Sequence, residues 1–311
     1  MNDAESKKEK FSKIALIICI CVLVCTSSYL VYILYGYLSQ RGIKNHIGDM
    51  FDTAGQSGEV LSQVPAPPKN SNQNSDGDPD RNSDPNNGGE GDPNESEWDR
   101  ERRLLLEAEA RGMELYADIL EINTDFLGLI EIPGVVTRQP YVLSQDNSEY
   151  LSQDFYGKRN PVGTIFLSKY NDRLMMDNNS TIFGHYSDTG AMFAKLTDYK
   201  NAATFAQSPV IVLDSLIGKS VWIVFASHVV ESDVWWMTPY NDKDDYAAFL
   251  EEIKARSLFI TDVDVTVNDR IITLSVCDYS YDDMRFIVHA RKLRPGELSP
   301  EAVTATANSV S

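Results

Sequence analysis

Cysteine is scarce in this chain and badly placed for cross-linking. Of 4 cysteines among 311 residues, Cys19, Cys21 and Cys25 fall within one apolar run, which leaves Cys277 alone in the rest. A disulfide framework is thereby excluded beyond that run, and the unpaired thiol is either a packing residue or a reactive one. Basic residues are also in deficit. The 28 Lys and Arg against 46 Asp and Glu give a formal net charge of −18, with no concentrated basic patch. That argues against nucleic-acid binding and speaks more to solubility than to partners. No group of His, Cys and carboxylate residues has metal-ligand spacing, so neither a metal nor another cofactor is expected.

Aliphatic residues almost vanish between Pro65 and Asp99, where Asn, Asp, Ser, Gly and Pro dominate. Such a segment cannot bury enough apolar surface to offset its ordering entropy, so residues 65–99 are expected to form a disordered acidic linker. Its role is either a tether that lifts a domain off the membrane or a plain spacer.

Charge is absent from Ile14 to Leu38, a run long enough to cross a bilayer as one helix. A cleavable secretion signal has an apolar core of only about 7–15 residues and a small-residue cleavage site, whereas this run ends in Tyr37-Leu38-Ser39-Gln40-Arg41. Residues 14–38 therefore read as an uncleaved, single-pass signal anchor. Lys7, Lys8, Lys10 and Lys13 precede the run, and only Arg41 and Lys44 closely follow it. The positive-inside bias then makes 1–13 the cytoplasmic N-terminus, with the bulk of the chain extracellular. A membrane-proximal segment, 39–64, follows.

Beyond the linker, Leu104, Leu105, Ala108, Met113, Tyr116, Ile119 and Leu120 recur at helical spacing, predicting a helix over Glu101 to Asn123 weakened by Gly112. Short apolar runs broken by turn residues then read as strands: Phe126 to Ile132, Gly163 to Leu167, Ser180 to Gly184, Val210 to Leu213, Ser220 to Val230, Val263 to Val267, Ile271 to Cys277 and Arg285 to Ala290. This density of strands points to a mostly β domain, a closed barrel or a sandwich, rather than a parallel α/β sheet. One helix interrupts them, Asp244 to Ser257, with Tyr246, Phe249, Leu250 and Ile253 on one face. The domain is expected to span 100–295, followed by a flexible tail at 296–311.

Cys277 ends an apolar strand and opens a polar turn, a position that holds a thiol rigidly yet leaves it open to solvent. His185 sits at a similar boundary in Ser180-Thr181-Ile182-Phe183-Gly184-His185. Arg285 opens the next strand eight residues after Cys277, so a hairpin would bring a permanent cation near the thiol. His228 and His289 lie inside strands and read as packed histidines. His46, beside the membrane, reads as incidental.

Three segments, Ile182-Phe183-Gly184-His185, Thr273-Leu274-Ser275-Val276-Cys277 and Arg285, resemble the His, TLxTC and Arg motifs of sortases in that family's order. Ile122 to Gly128, Gln145 to Leu151, Gly163 to Leu167, Met192 to Leu196 and the helix Asp244 to Ser257 look like the blocks of class B members. The resemblance covers roughly residues 100 to 295. It implies an eight-stranded sortase β-barrel with an N-terminal helix and a helix between the sixth and seventh strands. It further implies a cysteine transpeptidase of Gram-positive bacteria, with hydrolase-class peptidase activity, that anchors surface proteins to the cell wall. Cys277 would cleave a C-terminal sorting motif of a secreted protein as a thioester, then pass the acyl group to an amine of a peptidoglycan precursor or a pilin. His185 would be the acid and base, Arg285 would hold substrate and oxyanion, and Asn147, Leu151, Ser275 and Asp278 would line the substrate groove. A monomer is expected. Val276 departs from the motif, which has Thr there. A catalytically silent surface scaffold and a hydrolysing cysteine peptidase are the alternative readings.

Overall fold

The computed structural model describes residues 2–57, 95–187, 192–231, 239–278 and 284–297, with residues 2–14, Ser57, Cys277 and Asp278 described through their backbone. The linker expected at 65–99 lies outside these as far as residue 94, as does the tail from residue 298.

Helix α1 runs over Asn2–Ser57 and contains a stretch, starting at Ala15, that is long and apolar enough to cross a membrane. Helix α2, Glu97–Leu115, begins earlier than the spacing predicts because Ser96 caps it, its Oγ accepting from the Asp99 amide at 3.1 Å. It stops at Tyr116, and a separate short helix, α3, covers Ala117–Ile122. Gly112 is needed where α2 crosses the barrel: a Cβ there would lie 2.0 Å from the carbonyl oxygen of Leu216.

Eight strands follow: β1 Phe126–Ile132, β2 Val136–Leu143, β3 Ile165–Leu167, β4 Asn179–Phe183, β5 Val210–Ser215, β6 Gly218–Glu231, β7 Ile271–Asp278 and β8 Met284–Lys292. They close into a barrel in the order β1-β2-β3-β4-β7-β8-β6-β5. The pairs β2–β3 and β4–β7 are parallel and the remainder antiparallel. Of the two β architectures the strand pattern allows, the chain adopts the barrel, which leaves no open edge.

Two strand assignments differ from the sequence reading. β2 is hidden by Pro140, which argues against a strand interior. Pro140 is tolerated because its ladder with β3 begins only at Tyr141. Conversely, Val263 to Val267 forms no ladder. Val265 is buried, and Val263 and Val267 pack against the same cluster as α5, Lys243–Arg256. Alternation in that segment reflects one-sided burial, which a strand and a packed extended loop share.

α5 itself follows the prediction closely. Asp242 caps it through the amides of Asp244 and Asp245, and Tyr246, Phe249, Leu250 and Ile253 are the buried face. It covers the outside of β6, β7 and β8, while Leu274, Val276, Phe286 and Val288 turn into the barrel interior. A further short helix, α4 Ala202–Gln207, precedes β5.

Candidate active site

The site is built by strand register. β4 and β7 run parallel, and their last aligned pair is Phe183 with Ser275. The ladder's closing hydrogen bond runs from the Gly184 amide to the Ser275 carbonyl at 3.1 Å. Two residues further along each strand come His185 and Cys277, which are therefore level at one end of the barrel. On the other side of β7, Cys277 lies directly opposite Arg285 of β8. Strands β4, β7 and β8 thus bring the three positions into one row, although β4 is remote from the other two in sequence.

Gly184 fixes the exit from β4. A Cβ at that position would sit 2.4 Å from the ring of Phe193, which is fully buried in the core. Only glycine lets the chain pass against that ring and turn outward at His185. Sequence reading used Gly184 as part of a motif, but not for this steric reason. His185 is half-buried, and burial lowers its pKa below the ordinary histidine value, which favours the neutral imidazole at neutral pH. Arg285 is half-buried and donates from Nη1 to the Met284 carbonyl at 3.3 Å. Among the described residues it forms no ion pair.

The remaining candidates divide. Ser275 is buried on the strand just before Cys277, and its Oγ has no hydrogen-bond partner among the described residues. Leu151, an apolar side chain left 41% exposed, belongs to the connection between β2 and β3. Its neighbour Tyr150 accepts from the Thr164 amide at 2.8 Å. Thr164 immediately precedes β3, and by the β3–β4 register it is level with His185, so Leu151 lies near the barrel end that carries His185. Asn147 does not. It adopts a left-handed backbone with φ 67 and bridges to the far end of β3, where its side chain donates to Ser168 Oγ at 3.2 Å and accepts from the Lys169 amide at 2.8 Å. Ser168 in turn bonds Thr181, four residues before His185 and roughly 13 Å back along β4. Asn147 thus has its amide engaged in holding two loops together. Asp278 ends β7 opposite Met284.

Val276, where the motif has Thr, is 1% exposed and packs in the barrel interior. His228 and His289 are both buried between the sheet and α5, their rings stacked at 5.1 Å, with His289 Nδ1 2.9 Å from Thr273 Oγ1. His46 is exposed on α1.

Residues 130–293 match the family model described as "Sortase domain". Sortase B of Staphylococcus aureus is 30% identical over 182 residues, covering 58% of this chain and 75% of that protein. The chain is a class B sortase. Sortase B of Listeria monocytogenes is 28% identical over 177 residues, covering 56% of this sortase and 72% of that protein. The crystal structure of Clostridium perfringens sortase B superposes with a TM-score of 0.55 at 29% identity, covering 57% of this chain and 98% of that one. A Staphylococcus aureus sortase B–substrate complex gives 0.55 at 28% identity, covering 63% and 94%. The sortase barrel expected from sequence is therefore the observed one, and the family makes this protein a cysteine transpeptidase.

Proposed function

We propose that this sortase is held in the cell membrane by the apolar part of α1, N-terminus cytoplasmic and barrel extracellular, and joins secreted proteins to an amine at the cell surface. Cys277 is the nucleophile. In the resting enzyme the neutral His185 accepts the thiol proton as sulfur attacks the carbonyl of a C-terminal sorting motif. The resulting imidazolium then gives that proton to the leaving amine, and a thioester remains. An incoming amine, from a peptidoglycan precursor or a pilin, loses its proton to His185 as it attacks, and Cys277 leaves as thiolate. Arg285 stabilises the oxyanion of both tetrahedral intermediates. Leu151, Ser275 and Asp278 contact the substrate, and Asn147 serves it indirectly by fixing the loops beside the groove.

The observation that carries this reading is the β4–β7–β8 register, which makes His185, Cys277 and Arg285 neighbours at one barrel end. It is tested by incubating the full chain with a library of sorting-type peptides and a supplied amine, then reading the products by mass spectrometry. A Cys277 acyl adduct and an amine-ligated peptide are expected. Absence of any adduct at neutral pH overturns the assignment, and an adduct that yields only hydrolysed peptide overturns the transfer step.

A further inference from the structure

Helix α1 does not end where its apolar run ends. It continues to Ser57, and from near the end of the run onward it turns every third or fourth residue to the barrel: Gly36, Gln40, Ile43, Ile47 and Phe51 are buried. This is the spacing of one helix face against a packed surface. Gln40 donates from Nε2 to the Gly163 carbonyl. Phe51 stacks on Tyr116 with ring centroids 4.1 Å apart and planes 5° from parallel. Arg138 closes the far end, 5.4 Å over the Phe51 ring and ion-paired with Asp52. The acidic linker comes after this docked segment, so its length cannot set how far the barrel stands from the membrane.

The contact starts inside the apolar run. A Cβ on Gly36 would lie 2.8 Å from Cγ of Pro161. Leu34 and Leu38, on either side of Gly36, remain 54% and 56% exposed, and Tyr29, Tyr32 and Tyr35 are exposed just before it. Exposed tyrosines at the end of an apolar span mark the level of the lipid headgroups. From Gln40 to Gly36, one helical turn toward the membrane, the barrel partner steps from Gly163 back to Pro161. Continuing in that direction the chain reaches Lys158 and Arg159, both exposed on a protein that is otherwise strongly acidic.

We propose that α1 seats the barrel directly on the membrane surface from which it emerges, with the Lys158–Arg159 turn among anionic lipid headgroups. This rests on the anchoring reading above. Basic residues at that height are attracted by the surface potential of anionic lipid.

The test uses the full chain in phosphatidylcholine vesicles with and without phosphatidylglycerol. A fluorophore at the exposed Asn268 reports its height by energy transfer to headgroup dyes. Deleting residues 70–88 leaves the transfer unchanged, whereas Ile47→Asp with Phe51→Asp frees the barrel onto a flexible linker and lowers it about twofold. Gly36→Leu, whose Cβ would meet Pro161 and Asn160, neither of them in the barrel's apolar clusters, lowers it without unfolding. Lys158→Glu with Arg159→Glu lowers it only where phosphatidylglycerol is present. Transfer that follows linker length, or that ignores both helix variants, overturns the seating. Equal effects of the charge reversal in both lipids overturn the headgroup contact. Alkaline extraction separates the two readings: a chain stripped from the vesicles was never anchored, while an inserted chain whose height follows the linker defeats the seating alone.

Discussion

Gly184 donates its amide to the carbonyl of Ser275, and that single bond aligns the end of β4 with the end of β7. In the mechanism proposed above everything chemical depends on the alignment, because His185 and Cys277 are each delivered by the next residues of those strands. Arg285 is tied to Cys277 separately, by the antiparallel ladder of β7 and β8. A residue held between two ladders has little freedom to drift, which suits the nucleophile's role proposed for Cys277 in a reaction sensitive to the placement of its groups.

Substitution of the three groups should separate their roles. Cys277→Ala is expected to abolish the acyl adduct seen by mass spectrometry. His185→Ala should retain folding and lose about 10²–10⁴ in rate, the usual worth of a positioned acid and base. Arg285→Lys keeps the charge but not the fork, and should cost about 10²–10³ in rate if it holds the oxyanion. An Arg285→Lys variant with full activity would rule out that role.

Gly184→Ala should be costly although it adds one methyl group. The new Cβ would meet the Phe193 ring at 2.4 Å, and that side chain is fixed in the core. Overpacking of this kind costs about 1–3 kcal/mol and here also displaces His185. Denaturant melts should show the destabilisation and acyl-transfer assays a larger loss than the melts explain. Adding Phe193→Leu should restore part of both. If Gly184→Ala alone is as active as the parent chain, the steric account of this turn is wrong.

The amount legible in the sequence varied with how local the cause was. The apolar face of α5 is contained in one short segment and could be read directly, whereas the Asp242 cap, two residues before the predicted start, appears only in the structure. The hairpin that joins Cys277 to Arg285 could also be read directly. Alignment of His185 with Cys277 was visible only through a family motif, because the β4–β7 pairing is non-local: Thr273 on β7 and Asn179 on β4, whose side chains bond at 2.6 Å, are 94 residues apart. β2 was masked by Pro140, whose cost depends on which neighbour needs its amide. The docked face of α1 was present as Ile43, Ile47 and Phe51 at fourfold spacing, but spacing does not say what surface covers a face.

Val276 illustrates the same limit. Its departure from the family Thr suggested a hydrogen bond missing near the substrate, yet the side chain packs among Leu274 and Phe286 inside the barrel. Val276→Thr is therefore expected to leave acyl transfer unimproved and to lower stability by about 1–3 kcal/mol, as a hydroxyl enters an apolar site. Parallel urea melts and transfer assays check both halves.

The stacked histidines predict acid sensitivity. Burial pushes His228 down to about 4, with the Arg256 cation adding to the effect and Glu252 opposing it, and burial with the neighbouring His228 pushes His289 well below the usual histidine range. In the unfolded chain both would titrate near 6.5. A depressed histidine pKa means that the unfolded state binds more protons below that value. Stability from the neutral pair is thus complete above about pH 6.5 and drains away as pH falls toward 4. The shift at His228 alone corresponds to roughly 3 kcal/mol over that interval. Urea midpoints measured between pH 7 and pH 4 should fall steeply, with α5 releasing first, since both rings lie beneath it. His228→Phe should flatten the curve while leaving transfer at neutral pH intact, because the pair lies under α5 and not in the row formed by His185, Cys277 and Arg285. A variant with the parent's acid profile would show that some other group unfolds this barrel in acid.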